Sequence, residues 1–249
     1  MSNLSGQIAV VAGASSGMGR ATALALASAG CKVVAGARRP EALQTLAKEA
    51  AAAGAEILYI KTDASIKADA QALVQMAVER FGRVDVLVNS VGTNTTRRLL
   101  ADITDADWQE LINVNLISAY NLTMAVLPQL RQQGGGLIIH ISSCSAAWPD
   151  FSGIGYQAAK RGVNGLAHAT RMEEAKNGIR VSVVMPGLTD TPLMEKRKVR
   201  PARETLDKAL QPDDIAAACV FLASLPPRAF VPEMPVFASA LQSIGATIA

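Results

Sequence analysis

The chain has 249 residues, 50% of them hydrophobic and 18% charged, with a formal net charge of +3. Disorder as the main state is excluded, because it needs low hydrophobicity and high net charge. So small a charge, spread along the chain, also argues against nucleic acid as the main partner. Three scattered cysteines, Cys31, Cys144 and Cys219, form no disulfide framework.

With only His140 and His168 beside those cysteines, no metal site is expected. No run reaches the roughly 18 uninterrupted apolar residues of a membrane helix. The opening MSNLSGQIAVVAGASSGMG lacks the basic region and long apolar core of a secretory signal. A soluble cytoplasmic protein is the expectation.

Short, β-branched apolar runs then recur in chain order: IAVVA (8–12), KVVAG (32–36), EILYI (56–60), VDVLVN (84–89), GLIIHIS (136–142) and RVSVVM (180–185). They are near-continuously apolar, as strands buried on both faces of a parallel sheet are. Stretches of helical length separate them, at 19–29, 40–53, 67–81, 105–132 and 156–177. The alternation predicts one α/β domain over 1–249, a doubly wound parallel sheet of about seven strands with helices on both faces. From Thr189 to about Gln211 the pattern loosens. There KRKVRPAR (196–203) holds five basic residues in eight, which reads first as a solvated face and second as a lure for an anionic substrate. After Pro226 the chain is Pro-rich and then apolar, an atypical tail over 226–249.

Between the first strand and first helix stands Gly13-Ala-Ser-Ser-Gly17-Met-Gly19. Glycines let backbone N–H groups approach a pyrophosphate, and a helix N-terminus favours an anion. Gly13, Ser15, Ser16, Gly17, Met18 and Gly19 are therefore candidates for a dinucleotide site, although such a turn also occurs with no ligand. At the end of the second strand an acid would bind a free ribose 2′-hydroxyl and repel a 2′-phosphate. Ala37, Arg38 and Arg39 stand there instead. A guanidinium grips phosphate through paired hydrogen bonds, which favours NADP(H) over NAD(H).

Tyr156 and Lys160 are four apart and share a helix face. Ser143 follows the fifth run, at the strand end where open α/β sheets bind ligands. A phenol with a pKa near 10 is a poor base at neutral pH, and a nearby ammonium favours its phenolate. Tyr156 would then exchange a proton with a carbonyl or alcohol oxygen that a serine hydroxyl holds in place.

Taken together, AGASSGMG (12–19), TDA (62–64), NSVG (89–92), NVN (113–115), ISS (141–143), YQAAK (156–160) and MPGLTDTP (185–192) make the chain resemble the short-chain dehydrogenase/reductase family over roughly 5–225. The resemblance implies a Rossmann fold, a nicotinamide cofactor and usually a homotetramer, with a dimer as the alternative. It implies that Tyr156 is the acid/base, that Lys160 lowers its pKa and binds the nicotinamide ribose, that Ser143 orients the substrate oxygen, and that Asn115 holds a water linking Lys160 to solvent. Asp63 and Ala64 would line the adenine, Asn89 and Gly92 the cleft, and Pro186, Gly187, Leu188 and Thr191 the nicotinamide. The chain departs from the family in Ala12, where Thr is usual, in Ser90-Val91 within the second motif, and in its last residues.

Cys144 invites a nucleophile reading, but neither histidine has a clear reason to lie beside it. His140 reads as a buried strand residue and His168 as helix packing. Ser143, Ser145, Trp148, Phe151, Gly187 and Met194 are candidates for the substrate pocket, with 188–210 as a substrate loop. The expected function is an NADPH-dependent reductase of ketones or aldehydes, reversible as an alcohol dehydrogenase. Hydride transfer would be coupled to proton transfer by Tyr156, on a β-ketoacyl thioester, a small ketone or a polyol. The alternatives are a catalytically silent dinucleotide-binding sensor or scaffold, and an isomerase or lyase on the same framework.

Overall fold

The computed structural model describes residues 4–241. Seven parallel strands form one sheet: β1 (Ile8–Ala12), β2 (Lys32–Ala37), β3 (Ile57–Lys61), β4 (Val86–Asn89), β5 (Gly136–Ile141), β6 (Ile179–Pro186) and β7 (Glu233–Val236). Their spatial order is β3-β2-β1-β4-β5-β6-β7. This is the doubly wound Rossmann arrangement. The continuous apolar runs have a physical cause. Strands inside the order are covered on both faces, so Val10, Val11, Leu87, Val88, Ile138 and Ile139 are all fully buried. The edge strand β3 instead alternates after Ile57, half-burying Leu58 and Ile60 and exposing Tyr59 and Lys61.

Helices α1 (Gly17–Ser28), α2 (Pro40–Ala52), α3 (Lys67–Phe81), α4 (Asp105–Ile112), α5 (Ser118–Gln133), α6 (Ile154–Glu174), α7 (Arg203–Asp207) and α8 (Pro212–Ser224) complete the chain. Leu26 of α1, Leu46 of α2 and Ile215 of α8 pack with Val11, Val33 and Ile139 on one face of the sheet. Leu73 of α3, Leu122 of α5 and Ala167 of α6 pack with Val10, Leu87 and Val183 on the other. The stretch Asp105–Gln133 is long and apolar enough by composition to cross a bilayer. Its Leu122, Val126, Leu127 and Leu130 lie in the core instead.

The strand order reverses between β1 and β4, which opens a crevice beyond their carboxyl ends. The glycine loop after β1, Asn89 at the end of β4 and Ser142-Ser143 after β5 all reach that crevice edge. Helix α6 brings Tyr156 and Lys160 to it in its first two turns.

His140 ties the middle of the sheet to α5. Asn89 Nδ2 lies 3.2 Å from Nδ1, and Thr123 Oγ1 lies 3.3 Å from Nε2. The Asn89 amide is oriented by its oxygen, which accepts the Val91 N–H at 3.0 Å. Its nitrogen can therefore only donate to Nδ1, which assigns the imidazole proton to Nε2. Burial, and then Lys160, hold the ring's pKa down at about 4. The unfolded chain takes up this proton near pH 6.5, before the folded one does, so stability is full above that pH and falls as pH drops toward 4. The expected loss is at most about 3 kcal/mol. Urea unfolding of wild type and His140→Gln across this window should give a shallower pH slope for the variant. Equal slopes would sink the assignment.

Candidate active site

The glycine loop is shaped by contacts that only glycine permits. Gly13 has φ +83°, and a Cβ there would lie 2.7 Å from the Ser90 backbone. A Cβ on Gly19 would lie 2.3 Å from the Gly13 carbonyl oxygen. Gly19→Ala must therefore move the backbone of the loop, at about 1–3 kcal/mol of stability by analogy with overpacked cores. Urea unfolding together with NADPH titration checks this. An unchanged midpoint and unchanged affinity would contradict it.

Ser16 caps the N-terminus of α1 by position, yet its side chain makes no capping hydrogen bond, and the first turn holds no acid. Arg39 reaches across from the end of β2 and donates to Ser15 Oγ at 3.1 Å and Ser16 Oγ at 3.0 Å. Arg38 lies exposed beside it. Helix N-terminal amides, two hydroxyls and two guanidiniums thus face one cavity of about 310 Å³. That donor set suits a pyrophosphate and a further phosphate.

Of the residues the sequence assigned to a cofactor, this cavity is lined by Gly13, Ser15, Ser16, Gly17, Met18, Arg38, Arg39, Asp63, Ala64, Gly92, Tyr156, Lys160 and Thr191. Gly19 and Asn89 sit beneath it, holding the loop. Pro186, Gly187 and Leu188 open instead into a second cavity of about 360 Å³. The two cavities share Met18, Ser142, Tyr156, Thr191 and Leu193, so they meet at Tyr156.

Lys160 is 4% exposed and donates from Nζ to the Ile141 carbonyl at 3.1 Å. Nζ stands 5.7 Å from the centre of the Tyr156 ring. Burial lowers its pKa to about 8. Among the described residues no carboxylate pairs with it. A desolvated ammonium with so little compensation is costly for stability, and such perturbed groups cluster at functional sites. Gly92 leaves the room around it, since a Cβ there would lie 3.4 Å from Nζ and 3.2 Å from Asn115 Oδ1.

Asn115 is fully buried within a π-turn, Asn113–Ile117, that interrupts the long helix. Its amide donates to the carbonyls of Thr93 at 3.1 Å and Leu111 at 2.8 Å, and accepts from the Thr93 N–H at 3.1 Å. The side chain thereby satisfies a carbonyl of the widened helix, and such π-turns concentrate at functional sites.

Burial pushes the Tyr156 phenol up to about 12, against the lowering by Lys160 that the resemblance implies, and Asp150 adds to the rise. A hydrogen bond with Ser143 and the guanidiniums of Arg98 and Arg197 oppose it. Ser143 Oγ donates to Ser145 Oγ at 3.0 Å, which in turn donates to Asp150 Oδ2 at 2.5 Å. The larger cavity is walled by Ser143, Ser145, Gly187 and Met194. Trp148 and Phe151 do not reach it. Trp148 stacks edge-on against Phe237 at 5.7 Å, and Phe151 is 60% exposed.

The sequence missed Arg98 and offered Arg197 and Arg200 only within the basic run; all three line this cavity. The basic run is therefore not simply a solvated face. Arg197 and Arg200 turn into the cavity, and Lys196 Nζ donates to Thr93 Oγ1 at 2.8 Å. Cys144, which also lines the larger cavity, and His168 are each taken up by other partners. Cys144 is buried, its thiol pushed up to about 12 by burial, and it donates to the Met185 carbonyl at 3.0 Å. His168 pairs with Glu233 on the surface at 2.6 Å rather than packing inside.

The family model described as short chain dehydrogenase matches residues 7–201. The short chain dehydrogenase/reductase astE of Aspergillus oryzae is 37% identical over 233 residues, covering 89% of both chains. The 3-oxoacyl-(acyl-carrier-protein) reductase FabG of Thermotoga maritima is 35% identical, covering 89% of this chain and 92% of its own. The crystal structure of a metagenomic short-chain oxidoreductase in complex with NADP superimposes with a TM-score of 0.81. It is 36% identical and covers 94% of this chain and 97% of that one.

Proposed function

The chain belongs to the short-chain dehydrogenase family, and from that membership we propose an NADPH-dependent carbonyl reductase that also runs in reverse as an alcohol dehydrogenase. It is an oxidoreductase acting on CH–OH groups, and its cofactor is NADP(H). The cleft residues fit that cofactor. The uncapped start of α1 receives the pyrophosphate, and Ser15, Arg38 and Arg39 receive the ribose 2′-phosphate. When bound, the reduced nicotinamide supplies a hydride.

The chain's own residues manage the oxygen. Ser143 holds the substrate carbonyl oxygen, and Tyr156 donates the proton that makes it a hydroxyl. Lys160 keeps a positive charge beside the phenol, Gly92 leaves it space, and Asn115 fixes the π-turn behind it. The observation that carries this reading is the meeting of the two cavities at Tyr156. Segment 188–210 acts as the substrate loop. Turnover of a ketone and aldehyde panel with NADPH and NADH tests the reading. Tight NADPH binding with no carbonyl reduced would turn it toward the sensor.

A cytoplasmic homotetramer completes the proposal. The three cysteines are unpaired, as in a reducing compartment. Trp108, Ile117, Tyr120 and Met124 leave an apolar face exposed on the 105–133 helix. Light scattering should give four times the chain mass of 26.0 kDa, and a monomer would reject it.

A further inference from the structure

The larger cavity carries an imbalance of charge. Three arginines, Arg98, Arg197 and Arg200, line it against one carboxylate, Asp150. The remaining walls are largely apolar, among them Leu188, Leu193, Met194 and Val199. Among the described residues, neither Arg98 nor Arg197 forms an ion pair.

Arg98 is built into place. Its neighbour Arg97 is paired to Asp107 of α4 through Nε at 2.6 Å, which anchors the loop on the outside. Asn94 Nδ2 donates to the Ser152 carbonyl at 2.9 Å, which docks the loop against the segment leading into α6. Gly153 lets that approach happen, since a Cβ there would lie 2.9 Å from the Arg98 Cβ. Arg98 then faces the cavity, donating from Nε to the Thr95 carbonyl at 2.7 Å and from Nη2 to the Lys196 carbonyl at 3.0 Å. That second bond links it to the basic run and brings Arg197 beside it.

Arg197 has a buried Nε with no hydrogen-bond partner. Leaving a buried donor unmade is costly, and more so when the group is charged. Burial lowers the pKa of both arginines, and Arg197 further lowers that of Arg98, while Asp150 offsets only part of the fall. Two neighbouring cations in a desolvated pocket await a negative charge. Both line the same cavity as Tyr156, so that charge would sit on the same small molecule as the reacting carbonyl.

Resting on the reductase reading, we infer that the substrate is a small carbonyl compound bearing its own oxyanion, a carboxylate or a phosphate, held by Arg98 and Arg197 with Arg200 at the rim. The clamp makes and breaks no bonds. It positions the carbonyl between Ser143 and Tyr156 and rejects neutral analogues. A long thioester, with its phosphates far from the ketone, gains nothing from it.

The test compares matched pairs with NADPH: pyruvate, acetoacetate and levulinate against their methyl esters, and dihydroxyacetone phosphate against dihydroxyacetone. Charge-assisted hydrogen bonds predict an anion-to-neutral ratio in kcat/KM of about 10–100 in the best pair. Which pair shows it tells carboxylate from phosphate. Arg197→Gln should bring the ratio near one. Arg98→Gln should do the same, but it also removes two loop bonds, so Arg197→Gln carries the decision. Neutral partners reduced as well as the anions, or a ratio that survives Arg197→Gln, would overturn the clamp and leave the reductase standing. If no carbonyl is reduced, the reductase reading fails. Calorimetry of levulinate and methyl levulinate on the NADP⁺ complex then decides the clamp, tighter acid supporting it and equal binding overturning it.

Discussion

Tyr156→Phe lowers kcat about a hundred- to ten-thousandfold, the usual contribution of a positioned general acid. The reason lies in how the other protons at the junction are committed. Ser143 would turn its hydroxyl from Ser145 to the carbonyl oxygen, a hydrogen bond and not a proton transfer, and Lys160 donates to the Ile141 carbonyl. Removing one oxygen keeps the ring and its packing, so thermal stability and NADPH affinity should change little. The pH dependence has a definite sign. With the phenol pushed up to about 12, the protonated form dominates at neutral pH. Reduction, which needs that proton, should be sustained there. Alcohol oxidation, which needs the phenolate, should rise with pH. A variant that keeps a tenth of wild-type kcat would remove Tyr156 from the chemistry.

The double variant Arg38→Ala, Arg39→Ala weakens NADPH binding about a hundredfold while NADH binding stays nearly constant. Each charge-assisted contact to a phosphate is worth about 1.5–3 kcal/mol, and NADH offers no 2′-phosphate to receive it. Arg39 is already drawn over Ser15 and Ser16, so its guanidinium need not be ordered on binding. Added salt should erode the NADPH preference, because both arginines are exposed. Equal loss of both cofactors would mean that the arginines shape the loop rather than read the phosphate.

The sheet was legible because its interior strands are apolar on both faces, and the six runs fall within a residue or two of β1–β6. Several elements were not, the five-residue α7 among them. β7 is four residues long, contains Pro235 and is only half covered, so it carries no apolar run. Residues 242–249 of the tail lie outside the described residues. α8 was missed although Pro212 opens it and Gln211 and Asp214 cap it reciprocally, because the loosened pattern before it hid the start. The π-turn at Asn113–Ile117 is invisible to periodicity, since one extra residue per turn barely disturbs the apolar stripe.

The site divides along the same line. Residues on fixed spacing, such as Gly13 to Gly19 or Tyr156 and Lys160, could be placed from the sequence. Trp148 and Phe151 could not, because position between two site residues does not fix which way a loop side chain turns. Arg98 and Arg197 lie 99 positions apart and meet only through the Lys196 carbonyl. A charge run looks the same whether it faces water or a cavity.

The most direct single measurement is the fate of a deuterium placed on the transferable position of NADPH, followed by mass spectrometry of the product. With a ketone or aldehyde that is turned over, one deuterium should appear on the carbinol carbon for each NADPH oxidised. Tyr156→Phe should lose this transfer in proportion to kcat. Product formed without deuterium, with NADPH unchanged, would contradict a carbonyl reductase and favour an isomerase or lyase.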